Sequence, residues 1–267
     1  GKDDADDPYA KVGGGAGYGR VINATPLAEV LRVVEELRKY NLLAKEPSDQ
    51  TYLDMAAVVA REEEYKSKYG FVDYKMYWID ELEKILQKAG VLKNNTLGTI
   101  GIIKTQDVLI NERISIRKHG WVARTGVGYV ASDYSGNNNS DPSLDASFEY
   151  AYPFSYELQL INLMSYSTLL SSDISHHLAN RLSVTYQLAD RIDWENAWDL
   201  DMILPTADNE EDNITNQLTS SCRYYISNLI DANATLTLKK QDDKNDTSGD
   251  NEDVVTSLFF GVRYRLR

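Results

Sequence analysis

Cysteine is almost absent. Cys222 is the single one in 267 residues, so no internal disulfide can form. Histidine is limited to His119, His176 and His177, and phenylalanine to five residues against 18 tyrosines. No run approaches the ~18 apolar residues of a membrane-spanning helix. That argues against an α-helical membrane protein and leaves a β-barrel open, because alternating strands average out in hydropathy. Positive charge is short: 28 basic residues face 41 acidic ones, for a net charge of −13. With no basic stripe to neutralise phosphates, nucleic acid is excluded as a partner.

What is present divides in two. Residues 1–23 read as an acidic tail followed by a glycine-rich extended segment, Val12-Gly13-Gly14-Gly15-Ala16-Gly17-Tyr18-Gly19-Arg20. A phosphate-cradling loop would need a preceding strand, a following helix and Lys-Ser/Thr, and no Lys-Ser/Thr follows. The glycines are read as permitting close packing or a bend.

Residues 24–115 carry helical signals. Thr25-Pro26 fits an N-cap and first helical position, with Leu27, Val30, Leu31, Val34 and Leu37 inward and Glu29, Arg32, Glu35, Glu36 and Arg38 on the other face. After Pro47, Ser48 or Asp49 can cap a second helix with Leu53, Ala56, Ala57 and Ala60 inward and Gly70 at its end. A third helix is predicted over 73–88, with Met76, Ile79, Leu82, Ile85 and Leu86 inward. Residues 97–113 fit either a strand, on Ile100 to Ile103, or a fourth helix.

From about residue 116 the period changes to 2. Trp121, Ala123, Thr125, Val127 and Tyr129 alternate with Val122, Arg124, Gly126 and Gly128. Leu144, Ala146, Phe148, Tyr150 and Tyr152 alternate with Asp145, Ser147 and Glu149, and Trp194, Asn196, Trp198 and Leu200 with Glu195, Ala197, Asp199 and Asp201. Further strands are predicted over 156–170, 177–188, 214–227, 231–240 and the C-terminal segment, making eight. Several reach the ~9–11 residues that a membrane strand needs. Short links (153–155, 189–191, 229–231) alternate with longer polar ones, as periplasmic turns and outer loops do. This parity puts residue 116 and the C-terminus on the periplasmic side.

The terminal ladder Ser257-Leu258-Phe259-Phe260-Gly261-Val262-Arg263-Tyr264-Arg265-Leu266-Arg267 resembles the last strand of bacterial outer-membrane β-barrel proteins. The resemblance is architectural and covers residues 116–267. It departs from the class at the last residue, usually aromatic, where Arg267 stands three positions after Tyr264. The fold it implies is an α+β membrane protein, a helical module followed by an antiparallel transmembrane barrel of about eight strands. Outer-membrane lipid is then a partner, the helical module faces the periplasm, and an export signal is expected to have been removed, since the chain opens Gly1-Lys2-Asp3-Asp4.

With the apolar phase on lipid, the lumen-facing charges are Arg124, Asp145, Glu149, Glu157, Arg181, Glu195, Asp199, Asp201, Arg223, Arg263 and Arg265. Their mixed signs predict a lumen closed by ion pairs. Trp121, Tyr152, Tyr156, Trp194, Trp198 and Tyr264 are candidates for the membrane-interface belt. A serine–histidine–acid site around Ser171, Ser172, Asp173 and His176 is conceivable, but adjacent strand residues point to opposite faces, so His176 and His177 do not readily share a metal. No catalytic residue, metal or cofactor is assigned. The reading is a non-catalytic barrel that anchors the helical module and serves a structural or partner-binding role in an envelope complex, with a protein partner in the periplasm or envelope. The alternative is a porin-like channel for ions or small solutes, formed by a wider barrel or a homo-oligomer.

Overall fold

The computed structural model describes residues 10–112, 114–132, 141–170, 174–189, 191–206, 212–226, 230–243 and 253–264. Nine strands form one antiparallel sheet in chain order: β1 (Ala10–Asn23), β2 (Lys118–Ser132), β3 (Asp141–Pro153), β4 (Leu158–Leu169), β5 (Ser175–Ala189), β6 (Ile192–Pro205), β7 (Asn213–Tyr225), β8 (Ile230–Asp243) and β9 (Val255–Tyr264). All eight strands predicted after residue 116 are present. The ninth is the glycine-rich segment, which pairs along its length with β2. Among the described residues β1 and β9 are not paired with each other, so the sheet is open.

The glycines of β1 and β2 act where the two backbones crowd. Gly19 (φ 102°) and Gly120 (φ 117°) occupy the left-handed half of backbone space. A Cβ on Gly19 would run into the Trp121 carbonyl oxygen, and one on Gly120 into that of Arg20. Only glycine permits this bend.

The helical module does not precede the sheet; it is inserted between β1 and β2. It contains α1 (Thr25–Lys39), α2 (Asp49–Val59), α3 (Glu62–Lys88), α4 (Gly98–Gln106) and a π-helical turn (Asp107–Asn111). Residues 97–113 therefore take the helical option. Their core joins Val30, Val33, Val34 and Leu37 of α1 to Met55, Val58 and Val59 of α2 and Trp78, Ile79, Leu82 and Leu86 of α3. Trp78 Nε1 donates to the Val58 carbonyl at 2.9 Å, so its one polar atom is satisfied inside the core.

Several helical details differ from the sequence reading. Thr25 lies inside α1, with Ala24 at the N-cap, and its hydroxyl instead donates to Asn23 and accepts from the Arg117 amide. Ser48 does cap α2, accepting from the Thr51 amide at 3.3 Å. α2 stops at Val59, and the helix after it carries Gly70 (φ 78°) as a kink inside α3 rather than as a terminus. Leu53 and Met76, both predicted inward, are exposed: the buried stripes are Met55, Val58 and Val59 in α2 and Tyr74, Trp78, Ile79, Leu82 and Leu86 in α3. Arg32, predicted outward, is buried, because Glu112 from the π-helical turn packs over it and accepts from Nε at 3.0 Å, while Glu35 accepts from Nη1 at 3.2 Å.

Glu29 of α1 faces the start of α3. Burial, reinforced by the neighbouring Glu62 carboxylate, raises its pKa from 4.5 to about 7. A raised carboxyl pKa means that the ionised form penalises the fold. The penalty is absent below pH 4.5, grows as pH rises towards 7, and is complete above it. At about 1.4 kcal/mol per unit it amounts to at most ~3 kcal/mol. The Glu29→Gln variant is expected to match the parent at pH 4, to exceed it by ~1–3 kcal/mol at pH 8, and to lose the slope between, as read by urea unfolding across pH.

Candidate functional site: the polar face and its helical cap

Strand register sorts the sheet into two faces. Cross-strand pairs align Arg124 with Ser147, Glu149 with Leu163, Arg181 with Leu163 and Asp199, Asp201 with Ala179, and Arg223 with Asp193. Of the charged residues predicted to share a face, Arg124, Asp145, Glu149, Arg181, Glu195, Asp199, Asp201, Arg223 and Arg263 all fall on this polar phase. Glu157 does not: it lies in the β3–β4 connection. Arg265 lies outside the described residues.

The polar face is knitted by ion pairs across strands. Arg181 bridges Asp199 at 2.7 Å and Glu195 at 3.2 Å. Lys11 reaches Asp145 at 2.8 Å, Lys118 reaches Glu149 at 3.1 Å, and Arg263 reaches Asp231 at 3.1 Å. Where β1 and β2 present glycine, the same face is bare, and a 660 Å³ cavity opens against Gly15, Gly17, Gly126, Arg124 and Asp145.

The opposite phase is apolar and exposed. It carries Trp121, Phe148, Tyr152, Trp194, Trp198, Leu218, Leu236 and Tyr264. Trp121, Tyr152, Trp194 and Tyr264 stand near the strand ends beside the short connections, whereas Trp198 is mid-strand. Tyr156 is not on this face. Its hydroxyl donates to Glu35 of α1 at 2.6 Å, tying the β3–β4 connection to the helical module. Burial pushes that phenol up, and the bond to Glu35 adds to the shift. Burial pushes Glu35 up as well, but the Tyr156 bond and the Lys39 and Arg32 charges outweigh it and hold the carboxyl below its ordinary value.

The two adjacent histidines diverge as strand geometry requires. His176 meets the Tyr166 hydroxyl at 2.8 Å on the apolar phase, and His177 meets Asp201 at 2.8 Å on the polar phase. Ser171, Ser172 and Asp173 lie outside the described residues. Among the described residues no group of three or more His, Cys, Asp or Glu side chains is placed to hold a metal ion.

The helical module is fixed over the short-connection end by residues that periodicity does not single out. Arg117, 1% exposed, precedes β2 and donates to three backbone carbonyls: Tyr156 at 2.9 Å, Glu157 at 3.0 Å and Ser115 at 3.0 Å. Its own carbonyl accepts from the Ala24 amide at 2.7 Å. Burial lowers its pKa, with Asp193 and Glu157 opposing. Two residues earlier, Ser115 donates to Asp193 of β6 at 2.6 Å, and Tyr225 of β7 donates to the same oxygen at 2.8 Å. Residues 114–117 thus cross the polar face from β2 to β6. Asp193 could have been found by extending the Glu195–Asp199 phase one step back; an arginine just outside a strand leaves no periodic signal.

Comparisons with protein-family models, curated proteins and solved structures find no match to this chain.

Replacing Arg117 by alanine leaves three carbonyls without their charged donor, which is expected to cost about 3 kcal/mol. The measurement is the urea midpoint, together with limited proteolysis between α4 and β2: cleavage should accelerate in Arg117→Ala while the helical core around Trp78 stays protected.

Proposed function

We propose that the sheet is the wall of an outer-membrane β-barrel that anchors the helical module on the periplasmic side and acts as a non-catalytic structural or partner-binding component of the envelope. The observation that carries this reading is the apolar phase, which is exposed on strand after strand. Leu258, Phe260 and Val262 of β9 are 62%, 69% and 73% exposed, and the same phase holds three of the four tryptophans. Soluble proteins seldom expose an apolar patch beyond a few hundred Å². Every strand has 10–15 residues, enough to cross a hydrocarbon layer at a tilt. Among the described residues no helix is long and apolar enough to cross a membrane.

The short connections and the helical insertion share one end of the sheet, which is the arrangement of a periplasmic side. With nine strands in meander order, β1 and β9 run in the same direction. A seam between them would be parallel. On the helical module, Phe71, Val72 and Met76 stand exposed together beside the Gly70 kink, among the apolar residues open to a protein partner. The paired charges of the polar face favour a filled interior over the porin-like alternative.

Reconstitution into vesicles of bromine-labelled lipid tests the assignment. Fluorescence of Trp121, Trp194 and Trp198, read in single-tryptophan variants, should be quenched severalfold more than that of Trp78 in the helical core. Equal quenching of all four, or retention of the chain in the aqueous phase without detergent, would overturn it.

A further inference from the structure

Register places Arg20 directly opposite Trp121 and Ile22 opposite His119, so Arg20 leaves the sheet on the apolar phase. Among the described strand residues that phase carries three Arg, Lys, Asp or Glu side chains: Arg20, Lys240 and Asp242. Lys240 and Asp242 end β8 beside a long polar link. Arg20 stands alone at the other end, with the short connections and the helical insertion. No ion pair, hydrogen bond or ring contact engages it among the described residues. Charge on a lipid-facing surface is costly and is ordinarily paired or drawn to the interface.

Around Arg20 opens a hollow of 640 Å³, lined by Tyr18, Ile22, His119, Trp121 and the glycine backbone of β1 and β2. No carboxylate lines it. Tyr18 meets Trp121 at 5.8 Å between ring centres, Trp121 meets Phe148 at 6.3 Å, and His119 meets Tyr152 at 5.8 Å. The unpaired cation thus sits inside a row of aromatic rings of the kind that marks headgroup level.

We infer that Arg20 and His119 form a binding site for the phosphodiester of an anionic phospholipid in the periplasm-facing leaflet. The inference rests on the lipid-facing reading proposed above. The guanidinium presents a planar fork of N–H donors that matches two phosphate oxygens, and the imidazole adds a ring N–H. Trp121 and Phe148 continue the site along the apolar phase as a surface for the acyl chains. A headgroup of net negative charge is favoured. In phosphatidylcholine the phosphate already has its own ammonium partner, and the hollow holds no acid to take that group. A free phosphate shares the chemistry of the arginine contact but leaves the aromatic row uncovered.

Trp121 is the reporter, in a full-length variant with Trp194 and Trp198 replaced by phenylalanine. Trp78 remains, 1% exposed in the helical core. The protein is reconstituted into phosphatidylcholine vesicles containing a small fraction of brominated phosphatidylglycerol or, in parallel, the same fraction of brominated phosphatidylcholine. One interfacial arginine corresponds to about fivefold local enrichment of anionic lipid. Quenching of Trp121 by the brominated phosphatidylglycerol is therefore expected to be severalfold the stronger. Arg20→Gln alters an exposed side chain without partners, and should remove this preference while quenching in wholly brominated phosphatidylcholine stays unchanged. A variant that keeps Trp198 instead, whose register partners are Leu182 and Leu218, should show no preference. Inorganic phosphate should leave the Trp121 preference intact at an ionic strength matched with sodium chloride; its loss would reveal a free-anion site and overturn the lipid assignment. Equal quenching of Trp121 by the two lipids, a preference that survives Arg20→Gln, or an equal preference at Trp198 would overturn the site and leave the lipid-facing reading standing. No quenching by either lipid would overturn both.

Discussion

Register is the constraint on which everything else depends. The backbone ladder runs from β1 to β9 with irregularities only at Ala10/Lys11 and Gln187/Ala189. Because the side-chain period in a strand is 2, a one-residue slip in any pair would carry a whole row of side chains through to the other face. Slipping β6 against β5 would move Asp199 away from Arg181 and place Trp198 among the charges. With the apolar face on lipid, as proposed, that exchange would carry charge into hydrocarbon, a cost that would hold one pairing against its neighbours. The separation of an apolar face from a charged one is thus a property of the whole ladder.

The helical module is subordinate to this sheet in position but not in stability. It has its own core around Trp78 and Leu37. It leaves the sheet after Asn23 and returns at Lys118, which are register partners, so both its ends are pinned at one point of the β1–β2 ladder. Arg117 secures that point to the next connection through backbone carbonyls, a contact that tolerates change in the neighbouring side chains. Tyr156–Glu35 adds a second tie, and Ser115–Asp193 a third that reaches across the polar face. Insertion at the end with short connections leaves the opposite end to the longer polar links.

Legibility in the sequence followed chemical contrast. Strands such as β6, where Trp194, Trp198 and Leu200 oppose Glu195, Asp199 and Asp201, announce both their extent and their faces. β1 does not, because a row of glycines has no face to read; its extended conformation was evident and its place in the sheet was not. Among the helices, α1 was read correctly where long aliphatic residues repeat. In α2 and α3 the buried stripe runs through Met55, Tyr74 and Trp78 as well as through aliphatic residues, and Leu53 and Met76 lie off it. Of the charged positions, those inside strands were placed by alternation alone. Nearness to a turn groups Tyr156 with the apolar aromatics, whereas in the fold it turns towards Glu35. Arg117 and Ser115 sit in an irregular stretch whose importance arises from where the chain crosses, which no local pattern encodes.

The lipid assignment and the polar interior are two sides of one claim, that alternate residues of each strand meet different media. Spin labels placed one at a time from residue 193 to residue 204 of β6 measure this directly, through collision with oxygen, which partitions into lipid, and with a water-soluble nickel chelate. The account expects oxygen accessibility to peak at even positions such as Trp194, Trp198 and Met202 and to fall at Glu195, Ala197 and Asp199, with a period of two throughout. A flat profile, or one in which both series meet water equally, would contradict it.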